Sequence, residues 1–357
     1  MNYIHGGDIY SDGVLIGREL LDFSSNINPL GIPDSFTIHL AEAINSLTRY
    51  PDIQYRELIN SLCTYEMLGT VLHKENFILG NGASEIIDLS ISCFKKVLIV
   101  VPSFLEYELS AKKWGVSIEY SYLDSSLEID YQDIYNRMQN CDALIIGNPN
   151  NPNGGIIDKD KFQPILGYCE NAKKTIIIDE AFIEFTNNIK HSFSGDIREY
   201  NCILIIRALT KYFAMPGIRF GYGITSNTEL AEKIKSKQNP WNINCFAETA
   251  AKYVVKDKNY MDKSREWIEN ERNYMNAGLK EISFIEKVYK SYSNFLLCKL
   301  EGIDCHKLYD LCFQEGVLIR KAYNFQGLDE DYVRFAIKDR EKNEKFMNIL
   351  REVQATI

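Results

Sequence analysis

No stretch of the chain reaches the roughly 18 consecutive apolar residues that a membrane-crossing helix requires, so none of it is expected to span a bilayer. Positive charge is in the minority: 40 lysines and arginines against 49 acids leave a net charge of −9. That balance disfavours a polyanionic partner, and no nucleic acid is expected, although a local basic pocket for a small anion is compatible with it. Nine cysteines are present, but no two form a C-x-x-C pair and several lie inside apolar runs. They read as reduced core residues, and no metal site is expected. The opening Met1-Asn-Tyr-Ile-His5-Gly-Gly-Asp8 has no basic segment leading into an apolar one. It therefore does not read as a secretory leader, and a cytoplasmic protein is expected. Internal repeats and low-complexity segments are also missing.

What is present is a chain of 357 residues, longer than one average domain, so two lobes are expected. Residues 1–35 carry Gly6, Gly7, Gly13, Pro29, Gly31 and Pro33 and read as an irregular N-terminal arm. Residues 36–245 alternate between helical patterns (84–93, 104–113, 159–170) and short apolar runs (97–101, 143–147, 175–179, 202–206, 220–224). Continuous apolar runs mark strands buried on both faces of a parallel sheet, so the fold class is α/β, with helices covering a mostly parallel sheet in a large domain. Residues 246–357 read as a smaller α+β domain. It holds a long helical stretch at 246–281, strands at 294–300, 317–320 and 332–337, and a closing helix at 340–354. The arm is expected to pack on this smaller domain.

In an open α/β sheet, ligands bind beyond the carboxyl ends of the strands, and the polar residues of interest fall there. Lys211 follows the apolar run 203–206, with Arg207 and Arg219 close in sequence. Positive neighbours and partial burial depress a lysine pKa and free its amine as a nucleophile. Asp179 closes Thr175-Ile-Ile-Ile-Asp179, an acid at the tip of a buried strand. A carboxylate there suits the protonated ring nitrogen of pyridoxal 5′-phosphate (PLP), with Lys211 as the residue that holds that cofactor covalently and moves protons at the substrate Cα. Gly80-Asn-Gly82-Ala-Ser84-Glu85 precedes a helical pattern, and glycines at a helix N-terminus let backbone N–H groups approach a phosphate. Ser84 and Arg219 are candidates to add a hydroxyl and a charged donor. Asn148-Pro-Asn-Asn151-Pro is a turn that offers Asn151 to the ring oxygen, and Phe104 stands at another strand end, where it suits stacking on the ring.

These motifs resemble those of fold-type I PLP-dependent enzymes, the class I/II aminotransferase superfamily. The resemblance rests on residues 80–85, 148–154, 179–182 and 209–222, in family order, with Arg219 eight residues after Lys211. It implies that Lys211 is the Schiff-base lysine and Asp179 the partner of the pyridine nitrogen. It implies contacts to the ring by Asn151 and Phe104, and to the cofactor phosphate by Ala83, Ser84 and Arg219, with Thr210 beside the lysine also on the cofactor. Tyr50 matches a tyrosine that reaches the phosphate of the neighbouring subunit, which implies a homodimer with shared active sites. Arg334 matches the arginine that grips the substrate α-carboxylate, a task for which a bidentate guanidinium is suited. Two positions depart from the pattern. Phe182 stands where many relatives have a tyrosine, and Ala208 where many have serine or threonine.

Within the superfamily two groups are similar to this chain, threonine-phosphate decarboxylases of cobalamin biosynthesis and histidinol-phosphate aminotransferases. Both act on a small phosphorylated amino acid or amine, so both need a second anion site, for which Arg320 is the candidate. The arm, with His5-Gly-Gly7 and Asp22-Phe-Ser-Ser-Asn26-Ile-Asn-Pro29, resembles the decarboxylases more. That resemblance places His5 and Asn26 on the substrate and makes decarboxylation of L-threonine O-3-phosphate the expected reaction.

Overall fold

A computed structural model describes residues 6–356, so the expectation for His5 falls outside the described residues. The main sheet has seven strands in the spatial order Phe77–Gly80, Gly221–Thr225, Ile203–Ala208, Thr175–Asp179, Ala143–Gly147, Lys96–Val101 and Ser117–Tyr122. Every pairing is parallel except the two made by Gly221–Thr225.

The alternation of side chains along these strands creates two cores. Val97, Ile99, Val101, Ile145, Ile177, Leu204 and Ile206 face one side, where they meet Ile86 and Ile87 of the helix Ala83–Ile91. Leu98, Val100, Leu144, Ile146, Ile176, Ile178, Ile203 and Ile205 face the other side. Each of these side chains contributes about 1.5–3 kcal/mol on burial, which is why the central strands are apolar along most of their length. Several helices are started by side chains that accept from their first free N–H groups: Asp158, Asn227, Asn244, Asp257 and Asp304. Each such cap is worth about 1 kcal/mol.

A second sheet of four antiparallel strands runs in the order Arg320–Lys321, Tyr332–Ala336, Phe295–Leu300 and Ile285–Val288. The arm joins this part of the molecule. Leu21–Asp22 pairs in parallel with Val317–Leu318, the Ala336 N–H donates to the Phe23 carbonyl at 2.9 Å, and Phe23 stacks on Phe346 at 4.2 Å.

The structure differs from the sequence-based expectation at several places, among them the following. Residues 246–281 form two helices, Cys245–Val254 and Lys258–Leu279, because the Asp257 side chain accepts from the Tyr260 N–H and starts a new helix. Residues 317–320 divide, since Val317–Leu318 pairs with the arm and Arg320–Lys321 with Tyr332–Ala336. Phe77–Gly80 is a strand only four residues long, too short to show a period. Ser117–Tyr122 is a sheet-edge strand whose partly exposed, polar-rich sequence lacks an apolar run.

Candidate active site

A cavity of about 440 Å³ opens at the carboxyl ends of the parallel strands, a volume in the usual range for a small-molecule site. Its floor is Asp179, the last residue of its strand. The Tyr107 hydroxyl donates to Asp179 Oδ2 at 2.7 Å and the Ala181 N–H to Oδ1 at 3.0 Å. Burial raises the Asp179 pKa, while these two donors act in the opposite direction. Tyr107 belongs to the helix Glu106–Trp114 and meets Phe104 edge to face, with ring centroids 5.8 Å apart. Phe104 lines the cavity above it.

One end of the cavity is the N-terminus of the helix Ala83–Ile91. Gly82, with φ +84, turns the chain into that helix, and a Cβ added there would lie 2.4 Å from Arg219 Nη2. The missing side chain therefore lets the Arg219 guanidinium lie across the helix start. Arg219 Nη2 donates to Ser84 Oγ at 3.2 Å. Backbone N–H groups, a hydroxyl and a guanidinium converge on one spot, the donor set a phosphate takes.

Lys211 is partly buried on the cavity wall, next to buried Thr210, and its amine makes no hydrogen bond among the described residues. Burial, followed by the positive charges of Arg334 and Arg219, brings its pKa down to about 8. The arm holds the lysine's backbone, since the Asn28 N–H donates to the Lys211 carbonyl at 3.2 Å.

The wall contributed by the second sheet carries Arg334 and Arg320 at directly opposed positions of neighbouring strands. Like charges so placed repel, and burial pushes both pKa values down, Arg334 to about 9 and Arg320 to about 10. Arg334 Nη1 donates to Asn151 Oδ1, and Nη2 donates to the Ser24 carbonyl at 2.7 Å. Arg334 Nε is buried with no partner, and so is Asn26 Oδ1, which also borders the cavity. Arg320 donates to Asn324 Oδ1 at 2.7 Å and lies over the Phe325 ring. Four cationic residues (Lys211, Arg219, Arg320, Arg334) and two acids (Glu106, Asp179) border the space. It is thus built for an anion with a positive atom against Asp179. These donors, the unpartnered lysine and the two orphaned polar atoms fit PLP together with an anionic substrate.

The structure brings Ala83, Ser84, Phe104, Asn151, Asp179, Thr210, Lys211, Arg219, Asn26, Arg320 and Arg334 to this one cavity. It does not bring Tyr50 there: its ring is 76% exposed and lies against Trp241, 4.7 Å between centroids. Phe182 and Ala208 line the cavity with no polar group, and Phe182 meets Phe295 edge to face. Sequence reasoning missed Tyr107, Ser24, Asn28 and Lys338, whose amine donates to the Ser25 carbonyl at 2.9 Å. For Tyr107 a signal existed, because it lies three residues after Phe104 and so shares its side of the turn. Ser24 meets Arg334 across 310 residues of chain, and nothing local announces such a contact.

The model of the family "Aminotransferase class I and II" matches residues 18–350. The threonine-phosphate decarboxylase of Salmonella typhimurium is 31% identical over 99% of this chain and 97% of its own length. A protein of Caldanaerobacter subterraneus subsp. tengcongensis that carries the same name provisionally is 37% identical over 98% of this chain and 93% of its own. Among solved structures, the histidinol-phosphate aminotransferase from Clostridium acetobutylicum is 55% identical. It has a TM-score of 0.91 and covers 95% of this chain and 100% of its own.

Proposed function

The chain belongs to the aminotransferase class I and II family, whose cofactor is PLP, and from that premise we propose that it decarboxylates L-threonine O-3-phosphate to (R)-1-amino-2-propanol O-2-phosphate, a step of cobalamin biosynthesis. The observation that carries this reading is the opposed pair Arg320 and Arg334. Both side chains line the same cavity, so two guanidinium groups border one space, an arrangement suited to a substrate with two anions on a short carbon chain. Threonine phosphate has a carboxylate and a phosphate, and its charges would relieve the repulsion between the guanidinium groups.

In this reading Arg334 takes the carboxylate, and Arg320 takes the phosphate together with His5 and Asn26. The cofactor, when bound, supplies a protonated ring that accepts the electron pair left at the substrate Cα. Asp179 would hold its ring nitrogen, Phe104 its face, and Ala83, Ser84 and Arg219 its phosphate, with Thr210 beside the lysine. Asn151 Oδ1 is occupied by Arg334, so the amide nitrogen is left to donate to the ring oxygen. Anchoring the substrate at two points would fix its rotation, which is what selects the Cα–carboxylate bond for cleavage. That bond breaks, carbon dioxide leaves without the bonding pair, and Lys211 delivers one proton to Cα.

Tyr50 lies in a segment of sequence with several other exposed apolar side chains, Ile38, Ile44, Leu47 and Ile53. Such a surface is characteristic of an interface, and a homodimer in which Tyr50 serves the partner's cofactor phosphate would cover it.

A second reading, histidinol-phosphate transamination, is favoured by the 55% identity to the Clostridium acetobutylicum protein. Histidinol phosphate has a phosphate but no carboxylate, so Arg334 would then serve the second substrate, glutamate. The test is to incubate the PLP-loaded protein with threonine phosphate, measuring carbon dioxide, and in parallel with histidinol phosphate and 2-oxoglutarate, measuring glutamate. Carbon dioxide without glutamate is expected, and glutamate without carbon dioxide refutes the decarboxylase reading.

A further inference from the structure

Asp179 is held at both oxygens. Oδ1 receives the Ala181 N–H from its own turn, at 3.0 Å, and Oδ2 receives a side chain from a different element, the Tyr107 hydroxyl at 2.7 Å. Tyr107 is 2% exposed and is anchored in the core formed by Val97, Ile99, Ile145 and Ile177. Its only latitude is therefore rotation of the hydroxyl. Burial and the Asp179 charge hold the phenol well above its ordinary pKa, so it stays protonated and faces Asp179 as a fixed donor.

We propose that Tyr107 is a positioning residue: its hydroxyl fixes the rotamer of Asp179 and keeps that carboxylate ionised where it would meet the cofactor's ring nitrogen. The inference rests on the cofactor and on Asp179 facing its ring nitrogen, and not on which substrate bond breaks. A carboxylate in a site this dry would otherwise take up a proton, and a neutral acid gives a ring cation no counter-charge. The other charged groups nearby are Glu180, next in the chain, and Glu106, Lys211, Arg219, Arg320 and Arg334 on the cavity wall. None of them is hydrogen-bonded to Asp179 in the described residues, so the Tyr107 hydroxyl is the side-chain donor that selects between the two forms of the acid. Tyr107 also supports Phe104 edge to face, so two residues that line the cavity, Asp179 and Phe104, are set by one side chain.

Tyr107→Phe removes the hydroxyl and keeps the ring, and so separates positioning from packing. The apo-protein is titrated with PLP, followed by the visible absorbance of the bound cofactor, and that absorbance is then titrated against pH. A hydrogen bond to a charged group supports an expectation of about tenfold weaker PLP binding. The lowest pH at which the bound spectrum is retained should move up by about one unit, since the acid is protonated more readily. The thermal midpoint of the apo-protein should move little. Unchanged affinity and an unchanged pH titration overturn the proposal, as does a fall in thermal midpoint with the cofactor spectrum unaltered. The same titrations on Asp179→Asn and on the double variant complete the comparison. The second substitution should add little once Asp179 is gone, and full additivity counts against the coupling. If Asp179→Asn alone leaves PLP binding and its spectrum intact, the role given to Asp179 fails. If Asp179→Asn weakens binding and Tyr107→Phe does not, only the role of Tyr107 fails.

Discussion

Replacing Gly82 by alanine tests the phosphate cradle with a single methyl group. At φ +84 and ψ 157 the residue occupies a region of backbone space that is essentially restricted to glycine. An L-residue there costs about 1–3 kcal/mol. The new Cβ would also lie 2.4 Å from Arg219 Nη2 and 3.0 Å from its Cζ. The atoms it meets are the free end of a side chain, so the guanidinium swings away and gives up its 3.2 Å bond to Ser84 Oγ. A charge-assisted hydrogen bond to a phosphate is worth about 1.5–3 kcal/mol, so the displacement should weaken PLP binding by about 10- to 100-fold. Two measurements separate the effects. Urea denaturation of the apo-protein reports the backbone cost, and absorbance titration with PLP reports the cradle. Arg219→Ala should show the same loss of affinity without the backbone cost, and the double variant should lose little further affinity. Wild-type affinity in Gly82→Ala would refute the cradle even if stability fell. Wild-type stability would refute the backbone argument.

The Lys211 amine must be neutral to react, and its pKa lies at about 8. The rate of PLP capture by the apo-protein should therefore rise with pH through about 8 and level off above it, and a rate flat from pH 6 to 10 would contradict this. Glu184 is buried with neither carboxyl oxygen hydrogen-bonded among the described residues, and burial raises its pKa to about 7 despite the ion pair with Arg207 at 3.7 Å. The folded protein thus keeps a proton that the unfolded chain loses above about 4.5, so Glu184 costs stability as pH rises from about 4.5 to 7. Glu184→Gln should be near neutral at pH 4.5 and stabilising by about 1–3 kcal/mol above pH 7, read from urea denaturation, and an unchanged pH slope would count against it. Arg320→Gln should raise the KM for threonine phosphate by at least tenfold and leave PLP affinity unchanged, and a loss of PLP affinity instead would reassign the residue to the cofactor.

The strand ends made most of the site legible. Asp179 ends an apolar run buried on both faces, and Asn151 and Lys211 lie in the turns just beyond two more such strands, where a polar residue can meet the crevice. Gly82 was legible for a related reason, as a glycine placed where a helix begins. What stayed hidden depends on chain segments far apart. Ser24 reaches Arg334, and Asn28 reaches the Lys211 carbonyl, only because Leu21–Asp22 pairs with Val317–Leu318, a two-residue ladder too short to leave a pattern. The opposition of Arg320 and Arg334 is a matter of strand register, which single residues do not announce. Among the elements, the edge strand Ser117–Tyr122 left no apolar run because nearly all of its residues are exposed or part-exposed.

The central claim is that the Cα–carboxylate bond is the one that breaks. Threonine phosphate labelled with carbon-13 in the carboxylate, turned over in deuterated water by the PLP-loaded protein, tests it most directly. The account predicts labelled carbon dioxide equal to the substrate consumed and one deuterium on the carbon that was Cα. Label retained in an organic acid, with a keto group at Cα, would contradict it.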